Sequence, residues 1–249
     1  MSIVKSLSVG DGDMFYIEHN SDNFTIIDCC MSEDDRKTIV KEIKSKSSGK
    51  IIIRFISTHP DDDHIRGLKY LDEQMNLLNF YCTKNEATKE DATDDFSQYC
   101  ELRNDTEKAF YLFRGCSRRW MNLSSDERDG AGISILWPIT SNKHYKEALK
   151  EAKEGGSPNN ISPIVKYSSE GSATILWFGD LETDFMKEVK DELTMKPADI
   201  LFAPHHGRDT GKVPSKWLGE IDPGIVVVGE APPRNRCCRR SALRVSKLL

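Results

Sequence analysis

One short segment constrains this chain more than any other, because it concentrates metal-binding side chains directly after an apolar run. Residues 51–56 read Ile-Ile-Ile-Arg-Phe-Ile, a pattern that predicts a buried β-strand. The loop that follows contains His59, Asp61, Asp63 and His64. Imidazole suits zinc, whereas carboxylate shifts the preference towards harder ions such as manganese. We therefore expect a sheet whose edge carries a metal-binding loop.

Composition limits the class of protein. The 249 residues suffice for one large α/β domain or two small ones, and 38% hydrophobic residues support a lean core. A net charge of −5 excludes a global basic field, so a phosphate-bearing substrate would need local charge or metal. Because no run of about 18 apolar residues and no apolar signal core is present, we expect a cytoplasmic protein without a membrane span. The cysteines, which include no C-x-x-C pair, fit a reducing compartment.

The chain reads as one domain with two unusual parts. Alternating strand and helix patterns predict a domain over residues 1–230. Within it, residues 83–132 are highly charged and are interpreted as a helical insertion or lid. Residues 231–249 form a basic tail without an acidic residue, interpreted either as a disordered terminus or as a segment that contacts nucleic acid.

Two further motifs place metal-binding side chains after predicted strands. Asp180 follows an apolar run that ends at Phe178, and His205 and His206 follow a strand predicted over residues 199–202. Taken singly, an acidic run is a solvated turn and Asp180 is a helix N-cap. Since loops held by a rigid sheet usually carry ligands, the three motifs together favour a metal site at one sheet edge.

The pattern His59-x-Asp61-x-Asp63-His64 resembles the H-x-H-x-D-H signature of metallo-β-lactamase-fold hydrolases. The form S-T-H-P-D-D-D-H-I-R-G is most similar to the metallo-β-lactamase-like domain of ComEC-type DNA-uptake competence proteins. Further segments agree in order with V-G-x-G-D, I-D-x-G, N-N-x-S, G-D-L-E and H-H-G-S, namely Val9–Asp13, Ile26–Cys29, Asn159–Ser162, Gly179–Glu182 and His205–Arg208. Residues 83–132 and the tail lie outside the resemblance.

The resemblance implies an α/β fold, an αββα four-layer sandwich with the metal site at one edge of the two sheets. It also implies a centre of two divalent ions, zinc or manganese. The implied ligands are His59 and Asp61 for the first ion, Asp63 and His64 for the second, a bridging Asp180, and His206, which could exchange with His205. Asp63 and His205 are the implied catalytic residues, and substrate contact or support of the ligands falls to Asp28, Asn159 and Arg208.

Three positions depart from the family pattern. Asp61 and Asn159 stand where many members carry histidine. The first ion site is therefore poorer in imidazole, which favours manganese over tight zinc and leaves open that only one ion binds firmly. Arg208 replaces a serine and would either grip a phosphate bidentately or pair with Asp209.

The motifs lead to one preferred function and two alternatives. The preferred function is a metal-dependent hydrolase of a phosphodiester, with single-stranded DNA or a nucleotide as the anionic substrate. The first alternative is an ester, lactone or thioester hydrolase of the same fold. The second is a non-catalytic module that binds metal or nucleic acid, which the missing imidazoles at Asp61 and Asn159 favour.

Overall fold

A computed structural model describes residues 1–229 and 244–246, which form two six-stranded sheets. The strands of the first sheet, in spatial order, are β1 Ile3–Ser6, β2 Phe15–Glu18, β3 Asn23–Ile27, β4 Ile52–Ile56, β5 Phe80–Cys82 and β6 Ala109–Tyr111. Those of the second are β7 Ile133–Trp137, β8 Ile164–Tyr167, β9 Ile175–Trp177, β10 Ile200–Phe202, β11 Ile225–Val228 and β12 Arg244–Ser246.

The helices described in this structure flank the sheets. They are α1 Arg36–Lys46, α2 Asp62–Ile65, α3 Leu68–Met75, α4 Asp94–Asn104, α5 Lys143–Lys153, α6 Thr183–Val189 and α7 Ser215–Ile221. Side chains that cap the backbone begin two of them: Thr93 accepts a hydrogen bond from Phe96 N, and Asn142 accepts one from Tyr145 N. Among the described residues, no helix is both long and apolar enough to cross a bilayer.

Strand direction explains why the predicted ligands share one edge. In the first sheet, β1, β2 and β3 pair antiparallel and β3 to β6 pair parallel. In the second, β7, β8 and β9 pair antiparallel and β9 to β11 pair parallel. The ends of β3, β4, β9 and β10 lead into the loops of Asp28, His59, Asp180 and His205. Parallel neighbours end at the same sheet edge, so these loops converge.

Three separate cores hold the layers together. One lies between the first sheet and its helices and includes Phe24, Phe55 and Leu68. A second lies between the other sheet and its helices. The third lies between the two sheets, where Trp177 stacks on Phe202 with ring centroids 5.2 Å apart. Burial of each large apolar side chain contributes about 1.5–3 kcal/mol. Helix, sheet, sheet, helix is the order of these layers, which confirms the predicted αββα sandwich.

Residues 83–132 contribute a strand to the first sheet, which the sequence does not predict. This stretch is α-helical only over α4, and it supplies β6, which pairs parallel with β5. Arg54 on β4 is fully buried and donates to Asn23 at 2.6 Å and to the carbonyl of Trp120 at 2.8 Å. The prediction of a helical segment is therefore corrected for residues 83–93 and 105–132, where the chain forms β6 against β5 and Trp120 accepts a hydrogen bond from Arg54. That this stretch is an insertion stays a prediction.

Of the basic tail, only β12 is described, and it pairs antiparallel with β11 at the edge of the second sheet. The remaining residues of the predicted tail lie outside the described part of the chain. The interpretations of this tail stay predictions.

Candidate metal centre

Backbone hydrogen bonds join the loops at the shared edge of the two sheets. These bonds run from Cys29 N to His64 O at 2.8 Å, from Asp13 N to Asp63 O at 3.1 Å, and from His205 N to Gly179 O at 3.0 Å. Each one links two loops that are far apart in sequence. The side chains on these loops are therefore held in place by the fold.

The backbone at this edge adopts conformations that most residues avoid. His205 and His206 have φ angles of 51° and 55°, and Asp28 has a φ of 55°. Left-handed backbone costs a residue other than glycine about 1–2 kcal/mol. Gly179 has a φ of 52°, and a Cβ there would lie 2.7 Å from Ser162 Oγ. Strain of this kind clusters at functional sites, where the surrounding structure maintains it.

Asp180 lies among four imidazole rings. Its Oδ1 is 3.0 Å from His64 Nε2, and its Oδ2 is 3.4 Å from His206 Nε2, 3.7 Å from His205 Nε2 and 4.0 Å from His59 Nε2. All of these side chains are buried except that of His205, which is partly exposed. The structure thus brings together residues from three separate sequence motifs.

Asp63 lies on the solvent side of the same group. Its Oδ2 is 3.2 Å from His206 Nε2, and its Oδ1 is 4.0 Å from His64 Nε2. The side chain of Asp63 is 22% exposed, whereas that of Asp180 is 3% exposed. A solvent molecule can therefore reach Asp63 more easily than Asp180.

A carboxylate lies behind two of these rings. His64 Nδ1 is 2.9 Å from Asp28 Oδ2, and His206 Nδ1 is 3.3 Å from Asp13 Oδ1. Thr58 fixes Asp28 in turn, because its hydroxyl and its backbone N–H each donate to that carboxylate at 2.7 Å. At His64 this hydrogen bond to Nδ1 fixes the tautomer and leaves Nε2 for a metal, which is the usual arrangement at histidine ligands.

The third buried ring is held by hydroxyl groups. His59 Nδ1 lies 3.1 Å from Thr58 Oγ1 and 3.2 Å from Ser162 Oγ. Its Nε2 is buried and has no hydrogen-bond partner within the described residues. All three buried rings therefore direct Nε2 towards Asp180.

The carboxylates of the centre stabilise positive charge on the neighbouring histidines. Burial alone would lower the pKa of His206, but hydrogen bonds to Asp13, Asp180 and Asp63 outweigh burial and raise it to about 12. Burial would also lower the pKa of His64, yet the neighbouring carboxylates raise it well above the usual value. Either a proton on the imidazole or a metal ion can supply this positive charge.

The acids respond in the opposite sense. Burial would raise the pKa of Asp180, but the charge of His64 and a hydrogen bond to His206 hold it well below its usual range. Burial would also raise the pKa of Asp63, and the same two histidines lower it to about 2. Burial lowers the pKa of His59 to about 3, and the charge of His64 adds to this effect. Both acids are therefore ionised at neutral pH and His59 is neutral.

These residues fit a divalent metal ion. His64, Asp180 and His206 each offer a ligand atom, and a carboxylate oxygen of Asp13 lies within 4.8 Å of these atoms, where it can bind the ion or support His206. His64 Nε2 and His206 Nε2 face each other at 3.3 Å. Two ligands of a tetrahedral zinc with bonds of about 2.0–2.1 Å are about 3.3–3.4 Å apart. Imidazoles mixed with carboxylates suit zinc or manganese, and the number of ions stays a prediction.

The remaining predicted residues lie around this group. Asp61 Oδ1 is 2.8 Å from Lys89 Nζ, so this carboxylate contacts a lysine. Asn159 is buried and its Nδ2 lies 3.4 Å from Glu182 Oε1. Arg208 Nη1 lies 3.3 Å from His205 Nε2. The assignments of Asp61 as a ligand and of Asn159 and Arg208 as supporting or substrate-binding residues stay predictions.

Sequence reasoning missed two contributors to the centre. Asp13 ends the Val9–Asp13 element, which was assigned only to the fold resemblance, although a carboxylate after a glycine-rich turn is itself a signal. Gly12 precedes it, and a Cβ there would lie 2.5 Å from Cys30 Sγ and would collide with Asp63 O. Lys89 lies within residues 83–132, which the family resemblance does not cover. No local sequence pattern indicates that its partner is Asp61.

The comparisons with known proteins concern the fold. Neither a family model nor a curated protein matches this chain. Among solved structures, it is similar to the metallo-β-lactamase fold protein YhfI from Bacillus subtilis, with 14% identity, a TM-score of 0.39, and coverage of 80% of this chain and 70% of that chain.

Two further structures are similar to a comparable degree. One, from Thermotoga maritima, is described as a metallo-β-lactamase and has 15% identity, a TM-score of 0.47, and coverage of 80% of this chain and 94% of that chain. The other is a β-lactamase from Chitinophaga pinensis, with 14% identity, a TM-score of 0.45, and coverage of 86% and 83%. At these sequence identities and TM-scores, the structural similarities support no conclusion about activity. The similarity to ComEC-type proteins stays a prediction from the sequence motifs.

Proposed function

We propose that this chain is a metal-dependent hydrolase. The observation that carries the proposal is the convergence of His59, His64, His206 and Asp63 around Asp180 at one edge of two sheets. A divalent ion held there would lower the pKa of a water molecule and polarise the bond to be cleaved. Backbone hydrogen bonds between the loops that carry these side chains support the proposal.

The side chains at the rim have distinct roles in this proposal. Asp63 is ionised at neutral pH and partly exposed, so it is placed to orient the attacking water and to accept its proton. His205 is partly exposed and contacts both Asp180 and Arg208, which supports a role for its ring in proton transfer at the rim of the centre. Burial of Asp180 keeps it as a fixed ligand.

We further propose a phosphodiester as the substrate, with single-stranded DNA or a nucleotide as its natural form. The support is the sequence resemblance to ComEC-type proteins and the guanidinium of Arg208 beside His205. A guanidinium matches two phosphoryl oxygens geometrically. An ester, lactone or thioester hydrolase is the alternative of the same reaction type, and a non-catalytic binding module is the alternative of another class.

One set of assays separates these functions. The purified chain is incubated with manganese or zinc and with bis(p-nitrophenyl) phosphate, p-nitrophenyl acetate or a single-stranded oligonucleotide. We expect phosphodiester cleavage that chelation abolishes and that Asp63→Asn and His64→Ala reduce by at least about 100-fold. His144→Ala is the matched control, since His144 contacts Glu147 and Glu188 away from the centre.

The outcomes are distinct. Cleavage of the ester alone would replace the phosphodiester with the first alternative. Metal binding without cleavage of any probe would favour the non-catalytic module. Activity that survives both chelation and His64→Ala would exclude a metal-dependent mechanism at this centre.

A further inference from the structure

The carboxylate of Asp61 is already paired with a cation of the protein. Lys89 Nζ lies 2.8 Å from Asp61 Oδ1 and 3.3 Å from Asp62 Oδ1. The side chain of Lys89 is 22% exposed, so most of its stem is covered. The family resemblance assigns Asp61 to the first metal ion, yet in this chain an ammonium group lies against it.

A fixed loop places this lysine. Asn85 donates to the carbonyl of Thr83 and to the hydroxyl of Tyr99, and buried Arg103 donates to Asn85 Oδ1 at 3.1 Å. Further along, Thr88 N donates to the carbonyl of Ala152 at 3.0 Å, which ties the loop to α5. Lys89 therefore extends from an anchored backbone, and its contact with Asp61 differs from a mobile surface ion pair.

With Asp61 engaged, few ligands remain for a first ion. They are Nε2 of His59, an oxygen of the shared Asp180, and the neutral amide oxygen of Asn159, which has no hydrogen-bond partner among the residues described. By contrast, the second position has two imidazoles and the carboxylates of Asp63 and Asp180. A tight catalytic zinc site uses three protein ligands of strong donor type, which only the second position offers.

We propose that the ammonium group of Lys89 supplies to Asp61 the positive charge that a first metal ion would bring, so that this centre binds one divalent ion tightly. The inference rests on the proposed metal-dependent function and specifies its stoichiometry. The cation comes from the stretch 83–132, which the family resemblance does not cover. The positive charge that a first ion would bring to Asp61 is built into the chain.

Metal stoichiometry tests the inference without any measure of activity. The full chain is stripped with chelator, titrated separately with zinc and with manganese, and analysed for bound metal by mass spectrometry after desalting. We expect one retained equivalent in the wild type and two in Lys89→Met, which keeps the stem and removes the charge. Lys89→Arg keeps the charge and is expected to retain one equivalent.

Two controls assign the effect to the Asp61 contact. Lys69→Met removes the exposed ion pair between Lys69 and Asp94, 2.7 Å long, and is expected to leave one equivalent. The double variant Lys89→Met with Asp61→Asn is expected to return from two equivalents to one. Thermal unfolding of each variant verifies that it is folded.

The outcomes for this inference differ from those for the function. Two equivalents of comparable affinity in the wild type, or one in Lys89→Met, would overturn the inference and leave a metal-dependent hydrolase intact. One equivalent that rises to two, without cleavage of any probe, would support the inference and remove the hydrolase. A wild type that retains no metal would overturn both.

Discussion

The imidazole of His206 lies 3.3 Å from the carboxylate of Asp13, and this contact joins the two sheets at the candidate metal centre. Asp13 precedes β2 of the first sheet, and His206 follows β10 of the second. A similar carboxylate–imidazole contact within the first sheet joins Asp28 to His64 at 2.9 Å. Asp28 holds Nδ1 of His64 by a hydrogen bond, whereas Asp13 lies beside Nδ1 of His206 as an ion-pair partner, and both rings present Nε2 to Asp180.

Loss of the supporting carboxylates is expected to weaken metal binding without changing its stoichiometry. Asp13→Asn and Asp28→Asn each remove the charge behind one histidine, and partners of this kind are worth about 10–100-fold in metal affinity. Competition with a chromophoric chelator measures the change. Asp22→Asn, which alters the contact with Arg128, serves as the control. Unchanged affinity in both variants would show that the carboxylates do not support the ligands.

Asp180→Asn is expected to have a larger effect than either of those substitutions. The new amide keeps the shape of the side chain but removes the charge that three buried imidazoles face. We expect metal affinity to fall by more than about 100-fold, since loss of a partner outside the ligands alone costs about 10–100-fold. Retained metal after desalting is the measurement. A variant that keeps its full equivalent would contradict the central position of Asp180.

Metal binding is expected to stabilise the folded chain. An ion at about 100 times its dissociation constant adds about 2.7 kcal/mol, provided that it binds only the folded state. For a chain of this size, that corresponds to a rise in Tm of about 5–10 °C. Thermal unfolding with and without zinc or manganese measures the rise. Asp180→Asn is expected to show none, and an equal rise in that variant would place the ion elsewhere.

Gly12→Ala is expected to disturb the centre through packing alone. The added Cβ would lie 2.5 Å from Cys30 Sγ and would collide with the carbonyl oxygen of Asp63. Overpacking of this kind costs about 1–3 kcal/mol, and here it moves the loop that carries Asp63. The free energy of unfolding, measured in denaturant, and the metal affinity are both expected to fall. Gly219→Ala in α7 has open space around its Cβ and is the matched control.

Acid is expected to destabilise the fold partly through His19. This ring is buried against Thr25, and burial, aided by the charge of Arg54, lowers its pKa to about 3. The unfolded chain binds this proton near the ordinary pKa of about 6.5, so the neutral ring's contribution is complete above that pH and declines as the pH falls towards 3.

Between pH 8 and pH 5, His19 is expected to account for about 2 kcal/mol of lost unfolding free energy. His19→Gln removes the titration, so its unfolding free energy in urea is expected to depend less on pH over this range. Parallel pH profiles for the two proteins would show that His19 contributes nothing. Comparison of the two proteins cancels the contributions of other groups that titrate in both.

The resemblance of the sequence motifs predicted the layer order, and the motifs themselves contain most of the residues that converge at the candidate centre. Apolar runs that end in His59, Asp180 and His205 mark strand ends, and parallel strands bring such ends to one edge of a sheet. That local reasoning also identified His64, His206 and Asp63, because they lie within a few residues of those strand ends. The only information used for these residues was their short distance along the chain from a predicted strand end.

Only the tertiary structure decided which groups contact the candidate ligands from distant parts of the chain. Asp13 meets His206 across two sheets, and Lys89 meets Asp61 from a loop that Asn85 and Arg103 anchor. Such contacts depend on how the layers pack, which no local spacing encodes. The same packing made β6 a strand, because pairing with β5 outweighs the charged character of its surroundings.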